Sequence, residues 1–350
     1  METQNHAAML ELMLRPAFCV SDGKITKLNG AAAPYLLSEG TDILSLLATG
    51  TEEYQRFESG CLYLTLIIGG NTVGATVVAM EDIHLFLLEE PGNTAELRAL
   101  ALAARELRGP LNGMSMAALH LTSENPEHLC QLNRRMHQMM RIVSNMSDAA
   151  RYWESNEPAM EAVEICAWLE EILSKAATQL READLALQYT LPGPPIYTIA
   201  DTEKLERAVY NLISNAAKHT SAGGQIHVQL AQRGRLYLSV TDDGDGLDSS
   251  TLGNVYTRYL RTPSVTDGAE GIGLGMVLVR AVATMHGGTV LIDTPHRNST
   301  RVTMSLPVSQ KSSLPLRSPV FRIDYAGERD HCLQELSDVL PARLYAPKNI

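Results

Sequence analysis

The sequence lacks a CxxC pair, an excess of basic residues and a secretory-type N-terminus, and each absence narrows what the chain can be. Its cysteines, Cys19, Cys61, Cys130, Cys166 and Cys332, are scattered and odd in number. That argues against a disulfide framework and for buried thiols in a reducing compartment. Lys and Arg number 29 against 40 Asp and Glu, a formal net charge of −11. A broad basic face able to displace counterions from nucleic acid is therefore not expected. The opening run Met1 to His6 is acidic and polar, unlike a signal peptide, so a cytoplasmic protein is expected. The one uncharged stretch of bilayer length, Ser59 to Met80, is interrupted by Gly69, Gly70 and Asn71 and flanked by β-branched runs. This pattern predicts a β-hairpin and no membrane span. What remains is 45% hydrophobic and 20% charged over 350 residues, ordinary for a folded chain of two or three domains.

Four units are expected along the chain. Residues 10–90 read as a small α+β domain: two short strands, Ala17 to Val20 and Lys24 to Lys27, flank the turn at Ser21, Asp22 and Gly23, short helical segments follow through Leu47, and three strands end at Leu88. Residues 94–155 carry two apolar seams with alternating steps of three and four. The first runs Leu97, Leu100, Ala104, Leu107, Leu111, Met114, Ala118, Leu121; the second runs Leu129, Leu132, Met136, Met139, Val143, Met146, Ala150, Trp153. These heptads predict two helices of about 28 residues folded into an antiparallel hairpin, with a second hairpin completing a four-helix bundle. Pro110 lies inside the first helix and is expected to kink it. Residues 160–307 alternate helix and strand signals, with Asp201 placed to cap a helix that runs to about His219. Residues 308–350 open on a polar linker and hold a possible strand and helix between Val320 and Leu340, with no assignable role.

Three boxes in the third unit carry chemistry. Asn211 and Asn215 are four apart, on one face of a helix, and an amide oxygen is a suitable neutral ligand for Mg²⁺. Asp242 to Gly246 follows a strand, and its glycines let backbone pass close to a bound ring. A calcium loop is the rival here, but the later bidentate Glu is missing. Gly271, Gly273 and Gly275 open a helix, where backbone N–H groups and the helix dipole favour phosphate. A dinucleotide-binding turn would need a strand directly before the first Gly, and Thr262 to Glu270 is polar.

The ordered set resembles the nucleotide-binding boxes of the histidine kinase and gyrase-type ATPase superfamily. The resemblance implies an α+β multidomain protein with a PAS-like sensor domain, a dimerisation hairpin and a Bergerat-type α/β sandwich that binds ATP and Mg²⁺. It assigns Asn215 to Mg²⁺, Asp242 to the adenine amine, and Asn211, Lys218, His219, Gly244, Gly246, Gly271, Gly273, Leu274 and Gly275 to the nucleotide. Val255 to Arg261 resembles the lid, with Tyr256, Arg258 and Arg261 facing the nucleotide. Ala104 to Leu111 resembles the box holding the phosphoaccepting His, but that position is Arg105. Glu106 keeps the acid/base position beside it, and Gly109 stands where many relatives place a Thr or Asn for dephosphorylation. A guanidinium stays protonated and has no lone pair to attack phosphorus. Asn211, an amide, also replaces the Glu with which the gyrase and chaperone-type ATPases activate water.

Two function classes follow. One is an ATP-gated regulator or partner subunit in two-component signalling, a pseudokinase working as a homodimer or as a heterodimer with a related kinase and facing a response regulator. The other is an active kinase using another His, with His120, His128 and His137 as candidates, or phosphorylating a partner subunit in trans. The N-terminal domain reads equally as a ligand sensor or as a spacer without ligand.

Overall fold

The computed structural model describes residues 10–11, 13, 15–80, 82–89, 94–119, 126–151, 158–244, 246, 274–296, 298–308 and 330–346. The N-terminal unit holds β1 (Ala17–Ser21), β2 (Lys24–Leu28), β3 (Leu47–Thr49), α1 (Thr51–Gln55), β4 (Cys61–Ile68), β5 (Asn71–Met80) and β6 (Ile83–Leu88), with short 3-10 turns at Gly30–Tyr35 and Ile43–Leu46. The predicted hairpin at Ser59 to Met80 is β4 and β5, paired from Cys61↔Val78 to Ile68↔Asn71. β3 and α1 are additions that sequence patterning did not foresee. Among the described residues no helix is long and apolar enough to cross a membrane.

Helices α2 (Thr94–Leu119) and α3 (Pro126–Arg151) pack along each other. Within one chain the expected seams are covered only in part. Ala104, Leu111 and Ala118 are buried, whereas Leu107 and Met114 are each 48% exposed. On α3, Met136, Val143 and Met146 are buried, while Leu132 and Met139 remain 37% and 38% exposed. One chain thus covers only part of each apolar stripe.

The third unit contains β7 (Glu161–Glu164), α4 (Ile165–Arg181), β8 (Ala186–Thr190), β9 (Tyr197–Ala200), α5 (Thr202–His219), β10 (Gln225–Arg233), β11 (Arg235–Asp242), α6 (Leu274–Met285), β12 (Val290–Asp293) and β13 (Thr300–Leu306). Local chemistry sets the helix starts. The Glu164 carboxylate accepts from the N–H groups of Cys166 at 3.1 Å and Ala167 at 2.7 Å, beginning α4. Asp201 accepts from Lys204 N–H at 3.2 Å, as its capping position predicts. Burial would raise the Asp201 carboxyl, but bonds from Lys204 and Ala159 N–H outweigh it and hold the group below its usual range. Apolar residues at helical spacing on α4 and α5, such as Leu169, Leu173, Leu205, Val209 and Leu212, then cover alternating strand residues Val228, Leu230, Leu238 and Val240.

The two sheets are one. Strand order runs β2-β1-β6-β5-β4-β12-β13-β11-β10-β8, with β3 beside β4, and β7 pairs with β9 apart from it. The junction is antiparallel, Tyr63↔Val290, Leu62↔Leu291 and Cys61↔Ile292. Because side chains alternate along a strand, Leu62, Leu64 and Leu66 enter the N-terminal core while Cys61 and Tyr63 enter the core of the third unit. Gly60 makes the approach possible. It adopts φ +91°, and a Cβ there would lie 2.2 Å from the Ile292 carbonyl oxygen.

Residues 330–346 are no loose extension. After α7 (His331–Glu335) and a 3-10 turn at Ala342–Tyr345, the chain ends its described course with Cys332, Leu333, Leu336, Leu340 and Tyr345 in the same core as α4 and α5. The strand expected near Val320 lies outside the described residues. All five cysteines are free and buried, as expected.

Candidate nucleotide site

Helix α5 brings the two amides to one place. Asn211 is fully buried, donates Nδ2–H to the Arg207 carbonyl at 2.9 Å and accepts at Oδ1 from Arg141 Nη2 at 3.3 Å. Gly275, in the first turn of α6, sits against it. A Cβ at 275 would come within 2.8 Å of Asn211 Oδ1 and 3.7 Å of Asn215 Nδ2. The asparagine pair and the first turn of α6 therefore meet at Gly275, where a side chain would crowd the Asn211 amide. Asn215 is half-buried, and among the described residues its carboxamide makes no hydrogen bond. An amide left uncommitted by the protein fits a ligand to a hard cation that keeps several waters and takes its remaining oxygens from phosphates.

Asp242 ends β11 and is buried, accepting at Oδ1 from Gly244 N–H at 3.1 Å and Thr300 N–H at 3.3 Å. Burial raises its carboxyl above the usual range, with these N–H groups and His219 opposing. His219 is exposed at the end of α5, and Gly246 takes φ +74° beyond the Asp242 turn. Leu274 begins α6. Tyr256, Arg258, Arg261, Gly271 and Gly273 lie outside the described residues.

Lys218 faces an unforeseen partner. Its Nζ lies 2.6 Å from Asp338 Oδ2, in the C-terminal segment. Asp338 also pairs with Arg141 of α3. Arg141 in turn reaches Glu335 at 3.2 Å, and Glu335 reaches Arg207 of α5 at 3.6 Å. Arg207 pairs with Asp148 and donates to Asn145 Oδ1 at 3.1 Å. None of Arg141, Arg207, Glu335 and Asp338 stood out in the sequence. A signal existed on α3, where Arg134, Gln138, Arg141, Asn145 and Asp148 repeat at steps of four and three opposite the apolar seam.

On the hairpin, Arg105 and Glu106 are both exposed and lie 3.5 Å apart, Nε to Oε1. His128 is exposed, and His120 lies outside the described residues. His137 is half-buried, with Nδ1 2.9 Å from the Asn133 carbonyl and its ring edge-on to Tyr345.

Residues 200–310 match the family model described as histidine kinase-, DNA gyrase B- and HSP90-like ATPase. The chain is 28% identical to alginate biosynthesis sensor protein KinB of Pseudomonas aeruginosa over 71% of its own length and 42% of the relative's. It is 27% identical to adaptive-response sensory kinase SasA of Microcystis aeruginosa, covering 60% of this chain and 58% of that one. Against histidine protein kinase DivJ of Caulobacter vibrioides the identity is 31%, over 57% and 32%. The chain thus spans well under two thirds of the length of each. A solved structure of full-length ShkA in complex with AMPPNP shares the fold at TM-score 0.51 and 24% identity, covering 63% of this chain and 47% of that one. These matches support the histidine kinase family, and the α/β architecture of the third unit fits its ATPase domain.

Proposed function

We propose that this chain is a histidine-kinase-like signalling protein that binds Mg-ATP yet does not phosphorylate itself at the usual position, and that it acts as an ATP-gated regulator or partner subunit in two-component signalling. The observation that carries this reading is a contrast: Asn211, Asn215 and Gly275 converge, with Asp242 buried at its strand end, while the acceptor position holds an exposed arginine. In this reading the Asp242 carboxylate accepts from the adenine amine. Asn215 offers its amide oxygen to Mg²⁺, which would offset charge on the phosphates. Lys218, His219 and the N–H groups at Gly275 face those phosphates, and Tyr256, Arg258 and Arg261 belong to a lid. Asn211 is already committed to Arg207 and Arg141 and has no basic lone pair, so it does not activate water. Glu106 remains as a base with no proton to take.

The partly exposed seam residues Leu107, Met114, Leu132 and Met139 support a dimer, either of this chain or with a related kinase, since a second hairpin would cover them. A response regulator is the matching partner class. The N-terminal sheet, two strands followed by helical turns and a three-stranded meander, supports a PAS-like domain.

Calorimetry with ATP, with and without Mg²⁺, tests the site: binding that needs Mg²⁺ and is weakened by Asp242→Asn is expected, and a wild type that binds no nucleotide would remove the reading. Phosphorylation tests the rest. The wild type is expected to form no acid-labile phosphohistidine, whereas Arg105→His restores a possible acceptor beside Glu106. A phosphorylated wild type would establish the active-kinase alternative.

A further inference from the structure

The carboxylates of the C-terminal segment lie where cations of the nucleotide site need anions. Asp338 pairs with Lys218 at 2.6 Å and with Arg141, and Arg141 holds Asn211 at 3.3 Å. Glu335, almost fully buried, bridges Arg141 and Arg207. The contact is built, since Arg134 donates to the carbonyls of Ser337 at 3.0 Å and Asp338 at 2.8 Å, Gln138 donates to Ser337 at 3.1 Å, and Asn133 donates to Tyr345 at 3.0 Å. One segment thereby ties α3 of the hairpin to α5 of the ATPase-like unit.

We propose that residues 330–346 form an autoinhibitory latch in which the Asp338 carboxylate occupies the position at Lys218 that a nucleotide phosphate takes. The inference rests on the Mg-ATP reading of the site. A carboxylate satisfies Lys218 with a single negative charge, whereas a triphosphate brings several, so nucleotide competes with the latch. Burial, with the neighbouring Arg141, lowers the Lys218 ammonium despite Asp338. Displacing Asp338 also removes one of the two carboxylates that hold Arg141, the other being Glu335, and so weakens the hold of the segment on α3. Nucleotide occupancy thus loosens the tie between the segment and the hairpin.

Two measurements on the full chain test this. Titration with Mg²⁺ and the ATP analogue AMPPNP should show Asp338→Asn binding at least about tenfold tighter than wild type, the scale of one charge-assisted bond no longer in competition. Hydrogen exchange of the wild type should show amides of 331–345 losing protection when AMPPNP is saturating, a readout that needs no variant to fold. If Asp338→Asn binds no tighter, or if the segment keeps its protection with nucleotide bound, while Asp242→Asn abolishes binding, the latch is wrong and the nucleotide reading stands. If folded wild type and Asp338→Asn both bind no AMPPNP, the nucleotide reading fails and takes the latch with it.

Discussion

The two helices of the hairpin have the same length and the same apolar rhythm, yet they live in different surroundings. On α2, every described residue from 103 to 110 except Ala104 is exposed, and among the described residues Arg105 has only its neighbour Glu106 as an ion-pair partner. On α3, the face opposite the seam is engaged throughout, from Asn133 to Asp148, by the C-terminal segment and by α5 and α6. The difference teaches that the third unit is held by α3 and not by α2, the helix that carries Arg105. In this arrangement Asn211 is tied to Arg141, and position 105 stands in solvent.

The comparison can be broken most forcefully at Arg141. Replacing it with Ala would take from the buried Glu335 carboxylate the closer of its two guanidinium partners, leaving Arg207 at 3.6 Å, and should cost about 3–5 kcal/mol in chemical denaturation. A loss below about 1 kcal/mol, within the range of an exposed pair, would mean that α3 is no better docked than α2. A smaller effect is expected from Leu107→Asp combined with Met139→Asp. Both side chains are partly exposed in one chain, so folding should survive, but a charge in the dimer seam should cost association roughly 1–3 kcal/mol per site. Sedimentation should then find monomers where the wild type is dimeric; a wild type already monomeric at micromolar concentration would refute the bundle.

Acid sharpens the contrast further. Burial raises the Asp338 carboxyl, but Arg141, Lys218 and Arg134 outweigh it and hold the group below the usual range. A depressed carboxyl contributes its stability above the unfolded value of about 3.9, and that contribution disappears as pH falls through the lower folded value. Stability measured from pH 5 downward should therefore fall below about pH 4, and less steeply in Asp338→Asn; parallel profiles would deny the pairing. The smallest change is expected on the exposed face of α2. Arg105→Ala should alter stability by no more than about 0.5 kcal/mol, as for a surface pair, and a larger loss would reveal a partner for that residue.

Much of the third unit was legible because its signals are local. Asp201 caps α5 as its position predicts, and Ile226, Val228 and Leu230 alternate into the core as a half-buried strand must. The strand signals in the sequence, Ile196 to Ile199 and Thr289 to Ile292, fall one residue before β9 and β12, because strand ends are set by pairing partners. The seams named the apolar positions of the hairpin but could not say which of them one chain covers. The bonds of Arg141, Glu335 and Asp338 were illegible for another reason. A polar stripe on a helix reads as solvated until the segment that covers it is known, and here that segment lies about two hundred residues away.

The three backbone pairs between β4 and β12 have a consequence for any dissection of the molecule. Cutting the chain after residue 90 would strip β12 of its neighbour and leave Val290 and Ile292 on a strand with open N–H and C=O groups. The isolated C-terminal fragment should then add strands from its own copies, so poor solubility of such a truncation would report a bare sheet margin and not a failure of the ATPase-like unit to fold. Charged residues placed along β12 in the shortened chain should suppress that self-association.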